Sequence, residues 1–107
     1  MTTFDDRERA FENKFVHDQE MAFRITARRN RLIGQWAAEL MGLTPEETEA
    51  YAKSVVQAEF EEAGDEDVIR KLLGDLVSAN VDVDESRIRT TLADLEVEAR
   101  RQLIKAQ

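Results

Sequence analysis

Apolar residues recur every three or four positions in four stretches of the chain, the spacing of amphipathic helices, and no stretch alternates as a strand does. The first stretch runs without proline from about Asp5 to Met41, and Gly42 then suits the end of a helix. The pattern predicts one long first helix. Its predicted core-facing row, with two flanking positions, is Ala22, Ile25, Leu32, Trp36 and Leu40, beside Ile33 and Ala37.

The second stretch has the clearest helix start in the chain. Thr44 suits the N-cap, Pro45 suits the first helical position, and Glu47 completes a capping box. Gly64 is predicted to end this helix. Its predicted apolar rows are Tyr51, Val55 and Ala58, flanked by Ala52, Val56 and Phe60.

Two further patterns complete the set. Asp65 is predicted to cap a third helix. After a connection over residues 78–84, either Asp84 alone or Asp82 with Glu85 is predicted to cap a fourth. The predicted apolar faces are Val68, Ile69, Leu72, Leu73, Leu76 and Val77 in the third helix, and Ile88, Leu92, Leu95, Ala99 and Leu103 in the fourth.

Short connections between amphipathic helices favour antiparallel neighbours, so the sequence predicts an all-α four-helix bundle. At 1.5 Å per residue the second to fourth helices span roughly 20–33 Å, whereas the first would span about 55 Å. The part of the first helix after residue 17 is long enough to pack against the other three. Residues 1–17 are therefore predicted to form an extended or mobile N-terminal helical arm, and residues 18–107 the bundle domain.

Three of the five phenylalanines, Phe4, Phe11 and Phe15, share one helical stripe within the arm. An exposed apolar stripe marks a partner site, and an amphipathic helix bound in a groove uses such anchor spacing. The alternative is that the stripe extends the core of the bundle. We favour a partner-binding arm. The charged residues between the three anchors are Asp5, Asp6, Arg7, Glu8, Arg9, Glu12 and Lys14.

Composition narrows the classes of function. The 107 residues include no cysteine, which excludes disulfides and cysteine-based metal or redox sites. The net charge is −8, whereas most free nucleic-acid binders are basic. This charge is divided as −1 over residues 1–17, +1 over residues 18–41 and −8 over residues 42–107. Neither a signal sequence nor a membrane-spanning run is recognised, so a cytoplasmic protein is expected.

No motif has the spacing of a catalytic or cofactor site, so neither an enzyme nor a cofactor is expected. His17 is the only histidine, and it is interpreted as a solvated residue or as a pH-sensitive element at the base of the arm. A group of acidic residues near the predicted second connection is interpreted as two solvated helix ends rather than a metal site. This group is Glu59, Glu61, Glu62, Asp65, Glu66 and Asp67.

One dense basic run lies in the first helix. It contains Arg29 together with Arg24, Arg28 and Arg31, of which the last three share a helical face. The interpretation we favour is pairing with the acidic later helices. The alternative is contact with an acidic partner surface or with phosphate.

Three segments together resemble one known family: residues 4–18, residues 27–39 and residues 60–68, of which the second, with its Arg-Arg-Asn and Trp-Ala-Ala-Glu motifs, is specific. They resemble the ζ subunit of alphaproteobacterial F-type ATP synthases, and the similarity extends over essentially the whole chain. The departures are mild. Residues 31–36 read Arg-Leu-Ile-Gly-Gln-Trp where the family tends to carry Lys-Leu-Leu-Gly-Leu-Trp, and only Gln35 changes the polarity.

The resemblance implies a four-helix bundle that inhibits ATP hydrolysis and lies peripheral to the inner membrane through the ATP synthase. The segment from Met1 to about His17 would insert at a catalytic interface of the α and β subunits near the γ subunit. There it would stop hydrolytic rotation while permitting synthesis. Phe4, Phe11 and Phe15 would anchor the segment, and its charged residues would pair with groups of the enzyme.

Two other functions remain open at this stage. One is a helical adaptor that binds a different protein through the same arm. The other is a helical domain that binds adenine nucleotide. The resemblance also implies that ATP or ADP could bind weakly, because such binding has been suggested for some members of the family. Arg28, Arg29 and Arg31 would then be the possible phosphate contacts.

Overall fold

The computed structural model describes residues 3–59 and 64–106, with side chains from Asp18 onward. The described residues form four α-helices and no strand, which confirms the predicted fold class. The helices are α1 (Thr3–Leu40), α2 (Pro45–Ala58), α3 (Glu66–Ser78) and α4 (Glu85–Lys105).

The predicted capping box at the start of α2 is confirmed. Thr44 Oγ1 accepts a hydrogen bond from the Glu47 backbone amide at 3.2 Å, and Glu47 Oε1 accepts one from the Thr44 amide at 2.9 Å. These bonds from Thr44 to the carboxylate lower the pKa of Glu47. At the start of α4, Asp84 alone is the cap, and it accepts from the Arg87 amide at 2.8 Å.

Two predicted features at the other helix ends differ from the structure. α2 ends at Ala58 rather than at Gly64, and Phe60 lies outside the described residues. Asp65 stands at the N-cap position of α3, but its side chain makes no cap hydrogen bond. The reason is that this carboxylate pairs with Arg29 of α1.

Gly42 ends α1 as predicted, because it adopts a φ of 72°, which strains a residue with a side chain. The Leu43 amide then donates to the Ala38 carbonyl at 3.0 Å, and the Gly42 amide donates to the Glu39 carbonyl at 3.1 Å. This reversal satisfies carbonyls at the helix end and turns the chain back into α2.

α1 contacts each of the other three helices, and α3 contacts both α2 and α4. α2 runs antiparallel to α1, because Asn30 bonds Glu59 whereas Gly34, one turn further along α1, lies against Ala52. At Gly34 the two backbones approach so closely that an added Cβ would lie 2.7 Å from the Ala52 Cα. α1 and α3 thus each contact all three other helices, and the contacts of α1 are the more extensive.

The core-facing row of α1 is displaced from the predicted one. Ala22 and Leu40 are exposed, and Leu32 and Trp36 are only half-buried. The fully buried row instead contains two polar residues, Arg29 and Asn30, which a hydrophobic pattern counts as surface. From Asp18 onward, the buried positions of α1 are Ile25, Arg29, Asn30, Ile33, Gly34, Ala37 and Ala38.

The apolar core joins all four helices, and most predicted faces of α2, α3 and α4 contribute to it. Val77 is the exception in α3, where it is exposed rather than part of the apolar face. The largest fully buried side chains of this core are aliphatic, so burial of their apolar area drives assembly. The buried core cluster is Ile33, Ala37, Val55, Ala58, Val68, Ile69, Leu72, Leu76, Ile88 and Leu92.

Candidate functional site

The predicted partner-binding arm lies within α1, which begins at Thr3, but its side chains lie outside the described residues. The arm and its anchors therefore stay predictions. The residues concerned are Phe4, Asp5, Asp6, Arg7, Glu8, Arg9, Phe11, Glu12, Lys14, Phe15 and His17.

The basic run of α1 divides between the inside and the outside of the bundle. Arg24, Arg28 and Arg31 are exposed, whereas the guanidinium of Arg29 points inward and only 3% of that residue is exposed. Burying a charge is costly unless it is paired and hydrogen-bonded, so the surroundings of Arg29 decide what it does.

Arg29 is the centre of a polar cluster to which every helix or helix end contributes. Its Nη2 lies 2.8 Å from Asp65 Oδ1, at the start of α3, and its Nη1 lies 3.1 Å from Glu96 Oε1 of α4. Its Nε donates to Asn30 Oδ1 at 3.1 Å, and Glu59 Oε2, just after α2, lies 3.6 Å from Nη2. These five residues are called the Arg29 cluster below.

The remaining bonds of the Arg29 cluster satisfy its buried amide. Asn30 is fully buried, and its Nδ2 donates to Glu59 Oε2 at 3.2 Å. Burial raises the pKa of the Glu59 carboxyl, and the bond from Asn30 and the charge of Arg29 only partly offset that effect. Among the described residues, no buried side-chain nitrogen or oxygen lacks a hydrogen-bond partner. The cluster is thus a satisfied network, which fixes how the helices meet.

The favoured interpretation of the basic run, pairing with later acidic helices, is confirmed for two arginines. Arg29 pairs as described, and Arg31 Nη2 lies 2.6 Å from Glu49 Oε1 of α2. The interpretation of Glu59 and Asp65 as solvated helix ends is incomplete, because both carboxylates also pair with the buried Arg29, although Asp65 is still about half-exposed. Phosphate contact by Arg28, Arg29 and Arg31 stays a prediction.

Sequence reasoning missed Asn30 and Glu96 as members of this network. A signal for Asn30 was present, since it precedes Ile33 by three positions and Ala37 by seven, on the same face of α1. No comparable signal marks Glu96, because a glutamate on a helix is most often solvated. Its role depends on which face of α4 meets α1.

The exposed arginines border a shallow groove on the outer side of α1. Arg28 Nη1 donates to the neutral Gln102 Oε1 of α4 at 2.9 Å. The groove has a volume of about 410 Å³, and its lining is mainly apolar apart from the arginines. The lining residues are Phe23, Arg24, Ala27, Arg28, Arg31, Val56 and Leu103.

The described part of the chain contains neither a metal-binding cluster nor a membrane-spanning helix. No group of three or more histidine, cysteine or acidic side chains there could hold a metal ion. Likewise, none of the helices is long and apolar enough over its described residues to cross a membrane. The polar groups of the bundle interior are engaged with one another.

Fold and site together define a small all-α bundle organised around a long first helix and a buried arginine. The chain belongs to the family described as ATPase inhibitor subunit zeta, whose sequence pattern matches residues 1–102. A protein solved by solution NMR is 45% identical and superposes with a TM-score of 0.72, over 81% of this chain and 99% of that one. No curated protein matches the sequence. The family resemblance is thereby confirmed, and family membership indicates a regulatory subunit associated with an ATPase.

Proposed function

We propose that the protein inhibits ATP hydrolysis by the F-type ATP synthase by inserting residues 1–17 at a catalytic interface of the α and β subunits, beside the γ subunit. The observation that carries the proposal is the extent of the family match, which begins at residue 1 and runs to residue 102. The match therefore includes the arm as well as the bundle. The bundle would remain outside the catalytic head, peripheral to the membrane.

The length of α1 supports different roles for its two ends. Among the side chains that the structure describes, from Asp18 onward, the buried apolar residues begin at Ile25, and all four helices contribute to the core that they form. α1 is 38 residues long, or about 57 Å at 1.5 Å per residue, whereas α4, with 21 residues, spans about 32 Å. The molecule measures 66 × 25 × 21 Å, an elongation that suits a projecting arm.

An inhibitor that acts by inserting an arm needs no catalytic residue. It needs a higher affinity for one rotational state of its target than for the others, because a ligand shifts an equilibrium only by its differential affinity. Phe4, Phe11 and Phe15 would provide the apolar anchors, and the intervening charged residues would pair with the enzyme. Immobilising the arm and its side chains at the interface would offset part of the contact energy and keep the inhibition reversible.

Truncation tests the proposal directly. Deleting residues 2–17 is expected to abolish inhibition of ATP hydrolysis by the purified synthase while the bundle stays folded, as judged by circular dichroism and thermal unfolding. If the intact protein does not inhibit hydrolysis, the proposed function is wrong.

Point variants then separate the anchors from the rest of the arm. Replacing Phe4, Phe11 and Phe15 together by alanine is expected to weaken inhibition at least about tenfold, since truncating buried aromatic anchors typically costs a few kcal/mol. The matched control is Asn13→Ala with Val16→Ala, two positions in the same segment that are not assigned as anchors. Equal weakening by both variants would contradict the assignment of the phenylalanines.

A further inference from the structure

The outer face of α1 carries a row of cationic side chains in a protein that is otherwise acidic. Arg24, Arg28 and Arg31 are spaced four and three residues apart, so they follow one helical stripe. In the described part of the chain Arg24 makes no ion pair, and the hydrogen-bond partner of Arg28 is the neutral Gln102. Of the three, Arg31 alone forms an ion pair with a described carboxylate. Its pair with Glu49 is exposed, and such pairs contribute little.

The surface between these arginines is apolar and concave. Ala27 of α1, Val56 of α2 and Leu103 of α4 line the groove of about 410 Å³, so three helices contribute to one surface. An apolar floor with a cationic border is complementary to an amphipathic segment that carries carboxylates along its edge.

We propose that this groove docks an acidic amphipathic helix of the catalytic head, and the proposal rests on the function proposed above. The charge complementarity favours a peptide over a free phosphate. Arg24 and Arg31 are seven residues apart, or about 10.5 Å along the helix at 1.5 Å per residue, which is wider than one phosphate group. A helix with carboxylates at positions i, i+4 and i+7 has the same spacing, and its apolar side chains can contact the floor.

The position of the groove along α1 makes it a second attachment point. Arg24 follows His17 by seven residues, about 10.5 Å along the same helix, so the groove lies close to the end of the arm. Two contacts on one helix raise the effective concentration of the arm at its own site. Docking in the groove would therefore lower the concentration of inhibitor required, while the arm would still be the part that stops rotation.

Charge reversal in the full-length protein tests the groove. The variant Arg24→Glu with Arg28→Glu is compared with Lys53→Glu with Arg87→Glu, which makes the same charge change at exposed positions outside the groove. The groove variant is expected to need at least about tenfold more protein for half-inhibition of ATP hydrolysis, and the control less than about twofold more. Maximal inhibition at saturation should be unchanged in both variants, because the arm is intact.

The outcomes distinguish this proposal from the proposed function. If the unaltered protein inhibits and both variants shift the half-inhibition concentration equally, the groove is not a docking surface and the inhibitor function stands. If the groove variant loses maximal inhibition instead, its arginines act with the arm and the docking proposal is overturned.

Titration of the free protein with ADP gives a further test. ADP binding that is lost in the groove variant would make the site a nucleotide site and would also overturn the proposal.

Discussion

The bundle interior has two parts, the apolar core and the Arg29 cluster, and different forces stabilise them. At one level Ile33, Val55, Leu72, Leu76 and Ile88 are fully buried and make an apolar core without polar atoms in their side chains. At the other level, the Arg29 cluster fills the interior with a guanidinium and its carboxylate and amide partners. Apolar packing is non-directional, whereas hydrogen bonds specify angles, so the first level stabilises the bundle and the second fixes the arrangement of its helices.

The directional bonds of the Arg29 cluster matter because of the position of the cluster along α1. Arg29 is between the apolar core and the N-terminal half of α1, and its partners come from the α2 end, the α3 start and α4. In the proposed function α1 would transmit force from the inserted arm to the bundle, and such a helix has to be fixed against rotation about its own axis. We expect the Arg29 cluster to provide that constraint, and the following substitutions separate its contribution from that of the apolar core.

The largest loss of stability is expected in the apolar core. Leu72→Ala removes a fully buried side chain and leaves a cavity, so the free energy of unfolding should fall by about 3 kcal/mol. Urea unfolding followed by circular dichroism measures it. Leu73→Ala, at the half-buried neighbour, is the control and should cost less. Equal losses at the two positions would contradict the placement of α3.

Removing the charge of Arg29 is expected to lower the free energy of unfolding somewhat less than Leu72→Ala does. Arg29→Met keeps much of the side-chain volume but leaves Glu59, Asp65 and Glu96 without their cation, which should lower the free energy of unfolding by about 2 kcal/mol. Two of these carboxylates are about half-exposed and can turn to solvent, which limits the loss. Arg28→Met, at an exposed arginine, is the matched control and should change stability by less than about 0.5 kcal/mol.

A double-mutant cycle identifies the pair within the Arg29 cluster. Asp65→Asn combined with Arg29→Met should cost less than the sum of the two single substitutions, because the variants remove the same bonds, at 2.8 and 3.3 Å. Additive losses would mean that Asp65 and Arg29 act independently, and the cluster would not then be the unit that joins α1 to α3.

The same comparison explains how far sequence reasoning could go. Four helices, the capping box at Thr44 and the turn at Gly42 follow from local rules, and the structure has all of them. The inward face of α1 was predicted only in part. Ile25, Ile33 and Ala37 are buried as predicted, but Arg29 and Asn30 also lie on this face, and a pattern of apolar residues assigns such positions to the surface. Their partners are 29 to 67 residues away along the chain, so only the folded arrangement of helices brings them together.

A smaller loss of stability is expected from a substitution at the contact between α1 and α2. Gly34→Ala would place a Cβ 2.7 Å from the Ala52 Cα, so the helices must separate, at a cost of about 1–2 kcal/mol. Gly74→Ala in α3 is the control, because nothing lies within 4 Å of its added Cβ. There the helix propensity of alanine should raise stability by about 0.5–1 kcal/mol. Thermal unfolding of both variants measures the difference in sign, and stabilisation by Gly34→Ala would refute the close approach.

The smallest effect concerns the pH dependence of the Arg29 cluster. Burial raises the pKa of Glu59 above its ordinary value of 4.5, so the native state binds this proton more tightly than the unfolded state does. The resulting stabilisation is present below pH 4.5 and is lost as the pH rises through the native pKa. Glu59→Gln removes this titration. The variant should therefore gain stability relative to the unaltered protein as the pH rises from 4 to 8.

Glu66 provides a control of opposite sign for the same measurement. The hydrogen bond and the charge of Arg89 lower the pKa of Glu66, so its contribution to stability is present above pH 4.5 and is lost as the pH falls. Glu66→Gln should therefore lose stability relative to the unaltered protein as the pH rises, whereas Glu59→Gln gains it. Urea unfolding at several pH values gives both differences. Parallel pH dependence in the two variants would show that the buried carboxylate of the Arg29 cluster behaves like an exposed one, and the contrast between the two would be lost.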